Sequence, residues 1–180
     1  RRQRAPNAFP QQLGELLGYY DDSFAGDHPF RNLAKALPGS GEQPEIWVLG
    51  SSGDSAELAG AMGLPYCIAD FIAGEVPELA HRYRDAFRPS PRAAEPSVMV
   101  ACWVVAADTS ERAEWLAGPS RMMFAHLNQG QLISVPHPDK AADWLSASPA
   151  PVANGRRPII GTAQNCLAAL RRKAQIYGAD

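Results

Sequence analysis

At 180 residues the chain is long enough to bury a sizeable core as one domain, and 46% hydrophobic with 20% charged residues is the composition of an ordinary globular protein. A formal net charge of −2 supplies no basic face for nucleic acid, and no apolar run approaches the ~20 residues that a membrane span needs. The Arg-rich pieces Arg1-Arg2-Gln3-Arg4 and Arg171-Arg172-Lys173 are short enough to read as a chain end and a solvated helix face. No stretch reads as a signal peptide, and Cys67, Cys102 and Cys166 are an odd set without metal spacing. Cys67 and Cys102 sit inside apolar runs, as small core residues do, so a reduced, cytoplasmic setting is expected.

In chain order, the spacing of Leu13, Leu16, Leu17 and Tyr20 predicts an amphipathic helix over Phe9 to Phe24, with Pro10 in its first turn and Gly14 and Gly18 weakening it. Gly26 to Gly41 reads mostly as loop, with Phe30 to Leu37 extended. Ile46–Leu49 is a buried strand, Gly50-Ser51-Ser52-Gly53 a turn, Ala56 to Met62 a helix closed by Gly63, and Tyr66–Ala69 the next parallel strand. Val76 to Phe87 is a helix ended by Arg88-Pro89-Ser90-Pro91. Ser97 to Ala107 is the longest apolar run and the best central strand. A helix capped by Thr109 or Asp108 follows, reaching Leu127. Ser134 to Pro158 reads as irregular loop with a short helix at Asp139 to Leu145, and Thr162 to Tyr177 as a last helix stopped by Gly178. The alternation of strand and helix implies an α/β fold with a parallel sheet, its three strands adjacent and in chain order.

The first candidate for chemistry is the Gly50–Ser55 turn. The hydroxyls of Ser51, Ser52 and Ser55 and the N–H groups of Ser52 to Asp54 gather at a helix N-terminus, where an anion such as a phosphate is favoured. The same residues also describe a plain helix cap, with Ser51 as the cap and Asp54 three positions on. Asp70 follows a strand's C-terminal end and is either a pocket acid or a loop carboxylate. Arg88 either pairs with a carboxylate, tying its loop down, or faces a phosphate. Trp103 reads as core. His28, His81, His126 and His137 lack ligand spacing, so no metal is expected. Gly-Ser-Ser-Gly is not a dinucleotide fingerprint, lacking its third glycine and downstream acid.

Four words in order carry a family resemblance: Trp47-Val48-Leu49-Gly50-Ser51-Ser52, then Ala59 to Ile68 with Gly63-Leu64-Pro65-Tyr66, then Phe87-Arg88-Pro89-Ser90, then Ala106-Ala107-Asp108-Thr109. It continues weakly through Ser120-Arg121-Met122-Met123 and Ile160-Gly161-Thr162. In these the chain resembles the luciferase-like monooxygenases, flavin-dependent (β/α)8 TIM barrels of the bacterial-luciferase-like type. The resemblance implies that residues 1–180 are a single partial domain, running from about the helix after strand four to the helix before strand eight. It implies a flavin-dependent monooxygenase acting on a small organic substrate with O2. Its cofactor is reduced FMN, or a deazaflavin in a related oxidoreductase of the same superfamily. It implies a homodimer when complete, and no nucleic acid or membrane partner. In the family the equivalent turn contacts the FMN phosphate, which assigns Gly50, Ser51, Ser52, Gly53 and Ser55 to cofactor binding. Asp54 departs from the aromatic residue common there. Catalytic residues of the family come from N-terminal strands, so none is assigned. The alternative is a non-enzymatic flavin-binding or remnant α/β module.

Overall fold

The computed structural model describes residues 8–36, 43–147 and 158–180. The chain divides into two compact units, residues 1–46 and residues 47–180.

In the first unit, helix α1 spans Phe9–Asp21 and is closed by Asp22 in the left-handed region. Gly18 is explained by Phe24, whose ring lies where a β-carbon would sit, 2.8 Å from it. Phe30 to Leu37 is not extended as expected. Helix α2, Arg31–Ala34, occupies its start, because His28 folds its ring back to accept the Phe30 N–H and so turns the chain into a helical corner. Leu37 and the following residues to 42 lie outside the described residues.

The second unit is α/β with parallel sheets. Strand β1 (Val48–Gly50), β2 (Tyr66–Ala69) and β3 (Val98–Ala101) pair side by side in chain order, in the register Val48–Tyr66–Val98 and Gly50–Ile68–Val100. Helix α3 (Gly53–Ala61) links β1 to β2, and α4 (Asp70–Ala73) and α5 (Glu78–Ala86) lead from β2 towards β3. The apolar run 97–107 is not one strand. It breaks at Cys102 and Trp103, and its second half, β4 (Val104–Ala107), pairs with a different neighbour. That neighbour is β5, Ile159–Thr162, in a stretch read as loop running into helix. Four residues between Pro158 and the first residue of a helix are too few to show a period; β5 is fixed from outside, by its ladder with β4 and by the Ile159 N–H donating to Trp103 O at 2.8 Å. Helices α6 (Ser110–Asn128), α7 (Pro138–Ala147) and α8 (Ala163–Tyr177) complete the unit. Among the described residues the strands form two separate sheets and no closed barrel.

One face of the β1–β2–β3 sheet is covered. Val48, Tyr66 and Val98 are buried in one register row, with Tyr66 against Tyr83 of α5 and Ser55 of α3. The opposite face carries Leu49 and Met99, 55% and 47% exposed. Helices α3 and α5 meet at Gly60, where an added β-carbon would lie 2.6 Å from the Tyr83 carbonyl oxygen. No side chain can yield there, because the obstacle is backbone. Gly60→Ala is therefore expected to destabilise the chain by about 1–3 kcal/mol, as overpacking does. The measurement is the midpoint of chemical denaturation followed by circular dichroism.

Candidate functional site

Strand β1 ends at Gly50, a position where nothing larger fits: a β-carbon there would stand 2.1 Å from Ser55 Oγ. Two residues later Ser52 takes an extended conformation and caps α3, its Oγ accepting the Ser55 N–H at 3.3 Å. Ser55 Oγ closes the box by accepting the Ser52 N–H at 3.3 Å, and it donates to Ser52 O at 2.8 Å. It also shares a 3.0 Å hydrogen bond with the buried Tyr66 hydroxyl. The cap is thus Ser52 with Ser55, one position later than the Ser51 and Asp54 arrangement read from the sequence. The Tyr66 hydroxyl is the reason: it holds Ser55 Oγ in place, so a hydroxyl completes the box and no carboxylate is needed.

This arrangement leaves a defined set of groups for a ligand. Ser52 and Ser55 hydroxyls are committed to the cap, whereas Ser51 stands half-buried beside it and takes no part. The Gly53 and Asp54 N–H groups open the helix and have no intrahelical carbonyl to bond. Asp54 is exposed in the first turn. One residue bears on the turn that sequence reasoning missed. Arg82 of α5 lays its guanidinium beside Gly53, where Nη1 would be 2.4 Å from a β-carbon, and makes a loose 3.4 Å ion pair with Glu57. In the sequence it is one of several charges on a solvated helix; only the close approach of α5 to α3 at Gly60 brings it to the turn.

Among the described residues the Arg88 side chain makes no ion pair with a carboxylate. The guanidinium is exposed and the tie is made by backbone: Arg88 N–H donates to Gly60 O at 3.0 Å, and Ser90 Oγ donates to Gly63 O at 2.7 Å. Trp103 is half-buried, not in the core as expected, and packs edge-on against Phe124 at 5.0 Å. All three cysteines are free, and burial raises the thiol pKa of Cys67 and Cys102. Among the described residues no group of His, Cys, Asp or Glu could hold a metal ion.

Asp70 lines a cavity but is no free acid, and it is not a simple cap. It is 3% exposed, and its Oδ1 receives Lys173 Nζ at 2.7 Å and the Tyr177 hydroxyl at 2.9 Å. Both partners lie in α8, about a hundred residues on, where no local pattern announces them. Lys173 also approaches Glu75 at 3.5 Å, and Arg172 grips Glu75 through both nitrogens, lowering the Glu75 carboxyl pKa.

The family model for luciferase-like monooxygenases matches residues 14–180, and the chain belongs to that family. It is 44% identical over 124 residues to the uncharacterized protein YvbT of Bacillus subtilis, covering 68% of this chain and 35% of that one. It is 34% identical over 136 residues to a luciferase-like monooxygenase of Escherichia coli K12, covering 75% of this chain and 39% of that one. It is 29% identical over 137 residues to the N-acetyl-S-alkylcysteine monooxygenase of Bacillus subtilis, covering 76% and 41%. Among solved structures, apo-MsnO8 superposes with a TM-score of 0.81 at 27% identity, over 97% of this chain and 53% of that one. The chain thus spans roughly a third to two-fifths of the length of these curated relatives. No helix among the described residues is long and apolar enough to cross a membrane.

Tyr66, Tyr83 and Tyr177 all have raised pKa values, burial being the largest cause in each. A raised folded value favours the neutral phenol in the folded state. Its stabilising contribution is therefore complete below the unfolded tyrosine value of about 10 and is lost as pH rises through the folded values. Denaturation midpoints should hold steady up to about pH 9 and fall steeply above about pH 10. Tyr177→Phe should flatten that fall, read by parallel melts across the alkaline range.

Proposed function

We propose that this chain is part of a flavin-dependent monooxygenase that oxidises a small organic substrate with O2, with FMN held through its phosphate at the Gly50–Ser55 turn. The observation that carries the reading is the turn itself: a family position for phosphate with unbonded helix N–H groups, a half-buried uncommitted Ser51 hydroxyl and a guanidinium on its flank. Gly53 and Asp54 N–H groups and Ser51 would contact the phosphate, Ser52 and Ser55 would shape the turn, and Gly50 leaves room for Ser55 to do so. When bound, the reduced flavin supplies the reaction with O2; this chain's own residues bind and orient it. Residues 1–180 would be one partial domain of a (β/α)8 barrel, from about the helix after strand four to the helix before strand eight. The bare face with Leu49 and Met99 supports this, since parallel sheets are covered on both faces. Free thiols suit a cytoplasmic setting.

A second reading is a non-enzymatic flavin-binding or remnant module. The observation in its favour is Asp54, a carboxylate in the first turn where a phosphate dianion would sit. A deazaflavin would use the same turn through the same phosphate, and parallel titrations with the two cofactors separate them.

The test is an FMN titration of the complete protein by fluorescence quenching, with circular dichroism as the folding check. Ser51→Ala leaves the cap intact, and the Ser51→Ala/Ser52→Ala pair removes both hydroxyls. The double variant is expected to weaken binding roughly ten- to hundredfold, the loss of about 1.5–3 kcal/mol for a hydrogen bond to a charged group. Asp54→Asn should tighten binding modestly by removing a like charge. Unchanged affinity in the folded double variant would reduce the turn to a helix cap.

A further inference from the structure

The turn does not stand alone at its edge of the sheet. Gly50 pairs with Ile68, so β1 and β2 end side by side, the Gly50–Ser55 turn following one and residues 70–76 the other. In a parallel sheet the C-terminal strand ends share one edge, and ligands are met there.

Four residues of that segment are held by α8. Asp70 takes both Lys173 and Tyr177 on a single oxygen. The Tyr177 hydroxyl also lies 3.1 Å from Gly74 O and accepts the Val76 N–H at 2.8 Å. With one proton to donate, the hydroxyl divides it between Asp70 and Gly74 while its lone pairs serve Val76. Glu75 is taken by Arg172 and Lys173. Arg84 in turn fixes the end of α8 through the carbonyl oxygens of Tyr177 and Gly178. On its other side the segment borders a cavity of about 660 Å³, lined by Asp70, Gly74, Glu75, Ile159, Asn165 and Lys173. A buried ion pair is a poor way to gain stability, because desolvation offsets its attraction. What such a pair does well is fix geometry.

We infer that Asp70, Lys173 and Tyr177 are positioning residues: through the backbone of residues 70–76 they set the edge beside the Gly50–Ser55 turn and thereby its affinity for FMN. The affinity half of this statement rests on the flavin reading above; the geometric half does not.

The experiment separates the two. In the complete protein, Tyr177→Phe, Asp70→Asn and Lys173→Arg are compared with Gly60→Ala, which strains α3 against α5 and touches none of the three. Amide hydrogen exchange is read at residues 51–54 and 70–76, and FMN affinity by titration. Tyr177→Phe and Asp70→Asn are expected to speed exchange in both segments and to weaken FMN binding roughly five- to tenfold, the worth of one buried hydrogen bond. Lys173→Arg, which keeps the charge, should restore most of the affinity lost in Lys173→Met. Unchanged exchange at residues 51–54 in Tyr177→Phe overturns the inference, whatever FMN does. So does an equal loss of FMN affinity in Gly60→Ala at a matched loss of stability, since the effect would then be global. Faster exchange at 51–54 in a folded parent that binds no FMN would sustain the positioning role and overturn the flavin reading and the affinity half with it.

Discussion

The Tyr66 hydroxyl is the contact on which the local architecture turns. Tyr66 stands in the middle strand, wholly buried, its ring 5.5 Å from that of Tyr83 and its hydroxyl on Ser55 Oγ. Tyr83 continues the column, its hydroxyl accepting the Ser97 N–H at 3.1 Å where the chain enters β3. Two phenols thus bridge strands and helices, apolar along their bodies and hydrogen-bonded at their tips. Because Ser55 is pinned by Tyr66, the N-terminus of α3 has one position relative to β1, and Gly50 must be a glycine. The exposed turn is built from beneath by a buried side chain sixteen residues after Gly50 in the sequence.

The same constraint explains what the sequence could reveal. The β1–α3–β2 unit was legible because its strands are continuous apolar runs and its turn residues sit next to one another. The helices at 78–86, 110–128 and 163–177 were legible from spacing and caps. The cap itself was misplaced by one residue, since choosing between Ser51 and Ser52 requires knowing where Tyr66 points. The break at Cys102 and Trp103 was hidden because an apolar run carries no mark of which neighbour each half will pair with. Strand β5 was hidden for the complementary reason: Ile159–Thr162 has only a partner, β4, to make it a strand. Asp70 could be placed at a strand end from the sequence, but its meaning lies in Lys173 and Tyr177.

The physical picture converges on one edge of the sheet. Parallel pairing brings the ends of β1, β2 and β3 together there, and the two segments that follow β1 and β2 are controlled by different devices. The turn is held by hydroxyls within a few residues and by Tyr66. Residues 70–76 are held by charges and a phenol from a distant helix. The former is framed locally; the latter depends on α8 being seated.

That dependence has a consequence in time. The donors that reach Asp70 are separated from it by 103 and 107 positions. A chain emerging from the ribosome forms the β1–α3–β2–α5 region long before α8 exists, and contacts of such separation are slow to form because a long loop must close first. Until then the Asp70 carboxylate stays in water and residues 70–76 remain an accessible strand of backbone. The last piece of this edge to be secured is also the first to come loose when α8 lifts, so a protease acting on the nascent or partly opened protein would find its cut between β2 and α5.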